Sequence, residues 1–472
     1  MRRAKIVCTI GPATASPAML DRLVAAGMDV ARLNFSHGTQ AQHGQVIRQI
    51  RDGEGRWGRP ITLLQDLGGP KVRLGAFAGG GAELVTGEPF VLAAKPVKGT
   101  AARAALSHPE VLAHLAPGDA VSMGDGMIQL VVEAVGDGEV RCRVTSGGAV
   151  SDHAGVSLPR RPVPTSCLTA KDRDDLRFGI AHGVDYVAVS FVGSAADIQE
   201  VRQFLLAEGA DLPVVAKLER AEIVDNLPGI LALVDAVMVA RGDLGVAVPL
   251  EEVPAIQKDV TRQARQAKVP VIVATQMLES MVSHLRPTRA EVADVATAVL
   301  DGADAVMLSA ETATGRYPVE TVALMARIAE RAERLAGARG AGRREPEAYG
   351  FSEAVAEAAC QAARQLHARA IVAFTQSGFT ARLISQERPD VPIIAMTPFP
   401  EVQRRLGLYW GVSSRLVRKV ETTDEMIEEV EATLTGDGTV RPHDVLIIVS
   451  GAPMWVTGTT NLIKFHRVGD RR

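Results

Sequence analysis

The sequence predicts a (β/α)8 TIM barrel that carries an inserted small all-β lid domain and is followed by a C-terminal α/β domain. Three observations support this fold class. Eight short apolar runs rich in β-branched residues alternate with helical segments. A glycine-rich stretch interrupts the alternation after the third run, and a second strand–helix alternation follows residue 340.

The barrel is predicted from two segments, residues 1–67 and 166–340. Its strands are expected at residues 5–10, 29–33, 61–65, 185–189, 213–216, 235–240, 270–274 and 304–308. Helical patterns separate most of them, for example at 17–26, 195–207, 250–267 and 288–300. Eight such units close into a barrel whose active site lies at the carboxyl ends of the strands.

Residues 68–165 have a different character. Glycine clusters, Gly-Asp turns and valine-rich runs such as 127–135 and 140–144 predict a small β domain. This domain enters through the third βα loop, on the catalytic face, where it can act as a lid.

Residues 341–472 predict a separate α/β domain. Helices are expected at 352–366 and 422–434, and strands at 370–374, 392–397 and 444–449.

The composition argues against several classes of protein. The chain has 472 residues with a net charge of −3, which suits neither a nucleic-acid partner nor a membrane surface. Four cysteines lie far apart with no CxxC pair, which argues against a disulfide framework and a zinc site. No apolar run approaches the ~20 residues of a membrane helix, and the first run is too short for a signal peptide. We therefore expect a cytoplasmic protein.

Two neighbouring strands end in charged motifs. Lys217-Leu218-Glu219 follows one, and Arg241-Gly242-Asp243 follows the next. Side chains alternate along a strand, so Lys217 and Glu219 point the same way. Two carboxylates and a lysine suit a hard divalent metal with a phosphoryl or carboxylate group. Polar residues also follow the other runs: Thr9, Asn34, Ser36, Asp66, Ser190, Thr275, Gln276, Ser309 and Glu311.

Five motifs together resemble the pyruvate kinase family. They read ARLNFSHG at 31–38, AKLE at 216–219, MVARGDLG at 238–245, ATQMLESM at 274–281 and MLSAET at 307–312. Their order, their spacing and the domain insertion also match. The resemblance implies transfer of the phosphoryl group of phosphoenolpyruvate to ADP, which gives pyruvate and ATP. It also implies a Mg²⁺ requirement, with Mn²⁺ as a substitute, and a homotetramer.

The resemblance assigns roles to individual residues. Lys217 is implied to stabilise the phosphoryl group in flight and the enolate left behind, and Glu219 and Asp243 to hold Mg²⁺. The other implied catalytic residues are Arg32, Arg73, Thr275, Ser309 and Glu311. Implied substrate contacts are Arg32, Lys217, Ala240, Arg241, Gly242, Asp243 and Thr275, and implied nucleotide contacts are Asn34, His37, Arg73 and Lys171.

The third strand departs from the family pattern. Many pyruvate kinases read Asp-Thr-Lys-Gly-Pro-Glu-Ile-Arg there and need K⁺, whereas this chain reads DLGGPKVR at 66–73. We expect a vestigial K⁺ site at Asn34, Ser36, Asp66 and Leu67. Lys71 is expected to fill it, so that K⁺ is not required. The alternative is a retained K⁺ site with Lys71 facing solvent.

A second ligand site is implied in the C-terminal domain. Thr375, Gln376, Ser377, Gly378, Phe379 and Thr380 lie between a strand and a helix, where hydroxyls and amides can cradle a phosphate. The resemblance implies a sugar-phosphate or nucleotide effector, and the alternative is an ordinary capped turn.

Other interpretations remain open from the residues alone. Asp66 and Thr275 could cap helices, Lys217 and Glu219 could form a plain ion pair, and His37 could face solvent. At the level of function, the alternatives are an aldolase or mutase that uses phosphoenolpyruvate or pyruvate, or a non-catalytic metabolite sensor.

Overall fold

The computed structural model describes residues 2–124, 126–157, 166–337, 350–453 and 458–470. It confirms the predicted fold class, with a closed parallel barrel, an inserted β domain and a C-terminal α/β domain. The predicted domain boundaries stay predictions, because those at 165–166 and 340–341 adjoin or fall within residues outside the described part.

The first segment of the barrel contains three strands and two helices. The three strands and the first helix, for which positions were predicted, lie within two residues of those positions. They are β1 (Lys5–Thr9), α1 (Pro17–Ala26), β2 (Val30–Asn34), α2 (Gln40–Trp57) and β3 (Thr62–Asp66). The Ser16 and Thr39 side chains accept hydrogen bonds from backbone amides in the first turns of α1 and α2. Hydroxyl caps of this kind fix where a helix begins.

The described part of the inserted domain contains eight strands. They are β4 (Gly81–Leu84), β5 (Pro89–Ala93), β6 (Arg103–Ala105), β7 (Ala120–Met123), β8 (Ile128–Gly136), β9 (Glu139–Ser146), β10 (Gly148–Ser151) and β11 (Val156–Ser157), with a 3-10 helix at Pro109–His114. Six of these strands form one sheet and two form a small second sheet. They enclose a hydrophobic core of their own, as expected for an inserted domain.

The second segment of the barrel supplies the remaining five strands. The elements are α3 (Ala170–His182), β12 (Tyr186–Val189), α4 (Ala195–Ala207), β13 (Val214–Leu218), α5 (Ile223–Leu231), β14 (Ala236–Ala240), α6 (Arg241–Ala247), α7 (Val253–Gln266), β15 (Val271–Ala274), α8 (Arg289–Asp301), β16 (Ala305–Leu308), α9 (Ala310–Ala313) and α10 (Pro318–Gly337). Short 3-10 helices cover Leu250–Glu252 and Glu279–Val282. The eight barrel strands close in the order β1-β16-β15-β14-β13-β12-β3-β2.

The C-terminal domain packs against the amino ends of the barrel strands. Its elements are α11 (Phe351–Gln365), β17 (Ala370–Phe374), α12 (Phe379–Gln386), β18 (Ile393–Thr397), α13 (Pro400–Arg405), a 3-10 helix at Leu406–Leu408, β19 (Val412–Leu416), α14 (Thr423–Gly436), β20 (Val445–Ser450) and β21 (Leu462–Arg467). Its five strands lie in the order β19-β18-β17-β20-β21.

Polar contacts fix this docking. Arg404 forms an ion pair with Asp185 at 3.1 Å, and Arg388 forms one with Asp304 at 2.9 Å. Both aspartates directly precede barrel strands. Apolar residues from the barrel interior and from the C-terminal domain also form one shared cluster. The carboxyl ends of the strands therefore lie on the opposite face, toward the inserted domain.

None of the helices among the described residues is both long enough and apolar enough to cross a bilayer.

Candidate active site

Lys217 and Glu219 lie side by side at the carboxyl end of β13, as their spacing predicted. The Lys217 Nζ atom is 2.9 Å from Glu219 Oε1, 3.2 Å from Asp66 Oδ1 and 2.6 Å from Ser190 Oγ. The three partners come from the ends of three adjacent strands, β13, β3 and β12. The barrel thus brings residues far apart in sequence onto a single ammonium group.

The charge of Lys217 is held firmly. Burial alone would lower the pKa of its ammonium, but the carboxylates of Asp66 and Glu219 outweigh burial and raise it above its ordinary value. The side chain is only 12% exposed, so water screens these interactions little. Lys217 is therefore a fixed positive charge at the barrel mouth.

Arg32 is oriented by the same carboxylate. Its Nε donates to Asp66 Oδ2 at 2.6 Å, and its Nη1 donates to Thr9 Oγ1 at 2.9 Å. Burial alone would raise the pKa of Asp66, but Arg32 and Lys217 hold it below its ordinary value. Asp66 thus serves as a buried anion that orients two cations, and its contacts are not those of a helix cap.

Glu219 and Asp243 form the candidate metal site. Glu219 Oε2 accepts a hydrogen bond from the backbone amide of Phe191 at 2.9 Å. Burial raises the pKa of Glu219, Lys217 opposes this, and the negative charge of Asp243 adds to it. The two carboxylates therefore repel each other, which a divalent cation between them would relieve.

The donor set fits a hard divalent cation. Within the ranges that the structure covers, no group of three or more His, Cys, Asp or Glu side chains is arranged so that it could hold a metal ion by itself. Two carboxylates, with the remaining positions left to water and substrate oxygens, are the usual protein contribution to a Mg²⁺ site in phosphoryl-transfer enzymes.

The structure places Lys71 differently from the sequence-based expectation. Its Nζ lies 2.8 Å from Asp243 Oδ1, in contact with the candidate Mg²⁺ ligand and not with the predicted K⁺ pocket. The chain turns at Gly69, which has a φ of +66°. A Cβ built on Gly155 would lie 3.1 Å from Lys71 Cε, so the lysine passes over this glycine toward Asp243. The glycines mark a turn here, but the sequence does not show where the long Lys71 side chain points.

The Arg241-Gly242-Asp243 motif lies in the first turn of α6. The Gly242 amide donates to Thr275 Oγ1 at 2.8 Å. The Arg241 side chain forms an ion pair with Asp294 at 2.7 Å and donates to the carbonyl of Thr275, not to its hydroxyl. Ala240 ends β14 beneath the motif. The backbone of the motif, and not the guanidinium, therefore faces the Thr275 hydroxyl.

Ser309 and Glu311 lie at the end of β16. Glu311 is fully buried, and its two carboxylate oxygens accept hydrogen bonds from the amides of Ser309 at 2.6 Å and Leu278 at 3.1 Å. These contacts tie the loop after β15 to the loop after β16. Glu311 therefore holds the backbone of these two loops in place.

The remaining predicted residues are spread around the mouth. The Asn34 Oδ1 accepts from the amide of Ser36 at 3.1 Å, and Ser36 and His37 are exposed. Leu67 is buried, and its carbonyl accepts from Ser190 Oγ at 2.8 Å.

Two predicted nucleotide contacts lie apart from each other. The Lys171 Nζ donates to the carbonyl of Phe35 at 2.8 Å beside a cavity of about 450 Å³. Arg73 belongs to the base of the inserted domain, where its Nη1 donates to the carbonyl of His153 at 3.1 Å. The structure therefore does not bring Arg73 into contact with the Lys217 cluster.

The predicted effector loop lies at the carboxyl edge of the C-terminal sheet. Gly378, with a φ of +89°, precedes α12, and its amide donates to Thr375 Oγ1 at 3.0 Å. Thr380 and Thr460 share a hydrogen bond at 2.8 Å. Gln376 lies between Thr375 and the exposed Ser377, and Phe379 begins α12.

These observations define a class of protein: a (β/α)8 barrel with an inserted β domain, in which cations and carboxylates gather at the carboxyl ends of the barrel strands. Residues 1–322 match the family described as "Pyruvate kinase, barrel domain", and residues 353–466 match "Pyruvate kinase, alpha/beta domain". The chain belongs to the pyruvate kinase family. Members of this family depend on a metal ion and transfer the phosphoryl group of phosphoenolpyruvate to ADP.

Individual relatives are similar over their full lengths. The pyruvate kinase of Mycobacterium tuberculosis is 44% identical over 469 residues, which cover 99% of both chains. That of Corynebacterium efficiens is 45% identical over 472 residues, covering 99% of this chain and 98% of the relative. A crystal structure of a pyruvate kinase from Cryptosporidium parvum superposes with a TM-score of 0.91 at 33% identity, covering 99% of this chain and 96% of the other.

Proposed function

We propose that this chain transfers the phosphoryl group of phosphoenolpyruvate to ADP at the mouth of the barrel, with Mg²⁺ held by Glu219 and Asp243. The observation that carries the proposal is the buried Lys217 ammonium, which is fixed between Asp66, Glu219 and Ser190. Phosphoryl transfer needs positioning and charge stabilisation more than covalent chemistry, and this cluster supplies both.

Lys217 acts on the charge that develops in the reaction. Its preorganised ammonium stabilises the transferring phosphoryl oxygens and then the enolate oxygen that remains, because a fixed charge in a water-poor site needs no reorganisation. Bound Mg²⁺ supplies further neutralisation of the phosphoryl and enolate oxygens. Arg32 binds the phosphoryl group: two of its donors are used by Asp66 and Thr9, and an arginine has five.

The carboxylate of the substrate binds at Gly242 and Thr275. The Gly242 amide, in the first turn of α6, donates to Thr275 Oγ1 at 2.8 Å, and the Thr275 hydroxyl donates to the carbonyl of Ala274 at 2.6 Å. A substrate carboxylate would accept from these two donors in place of their present partners. Amides at a helix start favour an anion. Glu311 holds the neighbouring loops and Ser309 in register.

The nucleotide binds between the mouth and the inserted domain. Asn34, His37 and Lys171 line one side, near the cavity beside Phe35, and Arg73 approaches from the base of the inserted domain. Closure of that domain excludes water, which would otherwise compete for the phosphoryl group.

Finer assignments, on cations, effector, location and assembly, complete the proposal. K⁺ is not required, because Lys71 already brings a tethered positive charge to this mouth, while Mn²⁺ can replace Mg²⁺. A phosphate-bearing effector, a sugar phosphate or a nucleotide, binds at Thr375–Thr380. The enzyme works in the cytoplasm as a homotetramer, an assignment supported by family membership alone.

A coupled assay of ADP-dependent pyruvate formation tests the function. Pyruvate formation that needs ADP and Mg²⁺ supports the phosphotransferase. Consumption of phosphoenolpyruvate without ADP would indicate an aldolase or mutase, and no turnover would indicate a sensor.

The metal assignment is tested with two variants. Glu219→Gln and Asp243→Asn should each raise the Mg²⁺ concentration at half-maximal rate, since each loses a charged oxygen ligand. Asp52→Asn, at an exposed position of α2, is the matched control. Mg²⁺ midpoints equal to those of the control would place the metal elsewhere.

A further inference from the structure

The turn that follows β15 has an unfavourable backbone. Thr275 has a φ of +70° and Gln276 a φ of +54°. Two consecutive non-glycine residues in the left-handed region are uncommon, and a β-branched residue such as Thr275 is particularly disfavoured there. Such conformations persist only where surrounding contacts enforce them.

One side chain contacts this turn and its flanking residues at three points. The Arg241 Nη2 donates to the carbonyl of Thr275 at 2.6 Å and lies 2.8 Å from Met277 Sδ. Its Nε donates to the carbonyl of Ala274 at 3.3 Å. The guanidinium therefore contacts residues before, within and after the turn.

The guanidinium is itself anchored from outside the turn. Its Nη1 forms an ion pair with Asp294 on α8 at 2.7 Å and lies 3.4 Å from Gln257 Oε1 on α7. The side chain is 12% exposed. Held between two helices, it presents a rigid set of donors to the turn.

The residue after Arg241 also contacts the turn. Gly242, the next residue, donates its amide to Thr275 Oγ1 at 2.8 Å. Arg241 and Gly242 therefore both bond to Thr275. The Arg241 guanidinium donates to the Thr275 carbonyl, and the Gly242 amide donates to the Thr275 hydroxyl.

We infer that Arg241 is a positioning residue for the substrate carboxylate: it holds Thr275 in its left-handed conformation so that the hydroxyl and the Gly242 amide stay together. This rests on the proposed function of Thr275 and Gly242. Lysine cannot substitute, because the contacts need several donors in one plane and an ammonium is a compact point charge. The inference replaces a direct substrate role for the Arg241 side chain.

The test is a double-mutant cycle on the KM for phosphoenolpyruvate. Arg241→Lys and Thr275→Val should each raise KM by about tenfold or more, the typical effect of losing a hydrogen bond to a charged group. The double variant should exceed the worse single variant by less than about threefold, because both changes remove one interaction. Asp294→Asn should raise KM in the same direction by less.

Arg388→Lys is the matched control. Arg388 is also a buried arginine that bonds an aspartate, Asp304, and a carbonyl, Gly302, but it lies at the other end of the barrel. It should lower the melting temperature and leave KM unchanged.

The outcomes separate the two claims. A raised KM for Thr275→Val with an unchanged KM for Arg241→Lys overturns the positioning role and leaves the carboxylate site intact. An unchanged KM for Thr275→Val overturns the carboxylate site itself. Additive effects in the double variant show that Arg241 does not act through Thr275. If Arg241→Lys does not fold, the KM of Asp294→Asn for phosphoenolpyruvate tests the inference instead. An unchanged KM in that variant overturns it.

Discussion

The ammonium of Lys71 lies 2.8 Å from the carboxylate of Asp243. The first residue belongs to the chain that enters the inserted domain, and the second to the first turn of α6 in the barrel. The two side chains are 30% and 36% exposed, so solvent partly screens the pair. Lys71 therefore contacts one of the two carboxylates to which we assign the metal, so a cation bound there would compete with the ammonium for Asp243.

Removing Lys71 should strengthen divalent-metal binding. Lys71→Met relieves a like-charge repulsion at Asp243, and a partly exposed pair of this kind corresponds to at most about fivefold in affinity. Titration with Mn²⁺ followed by electron paramagnetic resonance, without phosphoenolpyruvate, measures this directly. Lys98→Met, at an exposed position of the same domain, serves as control. Affinity that is unchanged or weaker in Lys71→Met would show that the lysine does not compete with the metal.

The activity should not depend on K⁺. Lys71 supplies one fixed positive charge at the mouth without capturing an ion, and it repels a second monovalent cation. The measurement compares rates in tetramethylammonium buffer with rates after KCl is added at matched ionic strength. A several-fold activation of the unaltered enzyme by K⁺ would contradict the prediction.

Gly242→Ala should fold normally and bind substrate poorly. The three atoms nearest to a Cβ built on Gly242 all belong to Thr275 and lie 3.6–3.9 Å away, so there is room for it. That methyl group would stand beside the Thr275 hydroxyl, where the substrate carboxylate is assigned. We expect an unchanged melting temperature and a KM for phosphoenolpyruvate raised by about tenfold, as for a lost charge-assisted hydrogen bond. Normal KM with a normal melting temperature would remove this carboxylate site.

Asp29 should stabilise the barrel in a pH-dependent way. Its carboxylate accepts from the amide of Ile6 at 2.9 Å. Burial alone would raise the pKa of Asp29, but surrounding cations lower it to about 2. Those cations are Arg2, Lys5 and Arg59. Because this pKa is below the value of about 4 in the unfolded chain, the stabilisation is complete above pH 4 and is lost as the pH falls toward 2.

The size of this effect can be tested by substitution. A shift of about two units corresponds to about 2–3 kcal/mol. Asp29→Asn should therefore lower the melting temperature at pH 7, and the difference from the parent should shrink below pH 4. Asp52→Asn controls for the loss of one exposed carboxylate. A difference that is the same at pH 7 and pH 3 would rule out the assigned pKa.

The fold could be predicted because its signals are local. Each barrel strand is a short apolar run, and the structure places all eight within two residues of the predicted bounds. The helix starts follow from capping residues such as Thr288, whose hydroxyl accepts from the amide of Glu291. The short helix α6 was not predicted, because its seven residues carry two glycines and no helical periodicity.

The site was only partly predictable, for a physical reason. The strand spacing placed Lys217 beside Glu219, and strand-end position singled out Ser190 and Thr9, which prove to contact Lys217 and Arg32. Long side chains are a different matter. The directions of Lys71 and Arg241 depend on the turn at Gly69 and on the packing of α8, and no local pattern encodes either one.

The central claim is that the fixed charge of Lys217 drives phosphoryl transfer, and the kcat of Lys217→Met tests it most directly. The measurement is ADP-dependent pyruvate formation at saturating Mg²⁺ and substrates, with Lys217→Arg as the variant that keeps the charge. Removing the ammonium leaves Asp66 and Glu219 without their shared cation, so a lower melting temperature is also expected. Rates are therefore compared at a temperature below the melting temperature of each variant. We predict a loss of roughly 10²–10⁴ in kcat, with a smaller loss in Lys217→Arg. A folded Lys217→Met enzyme that retains half the parent kcat would contradict the account.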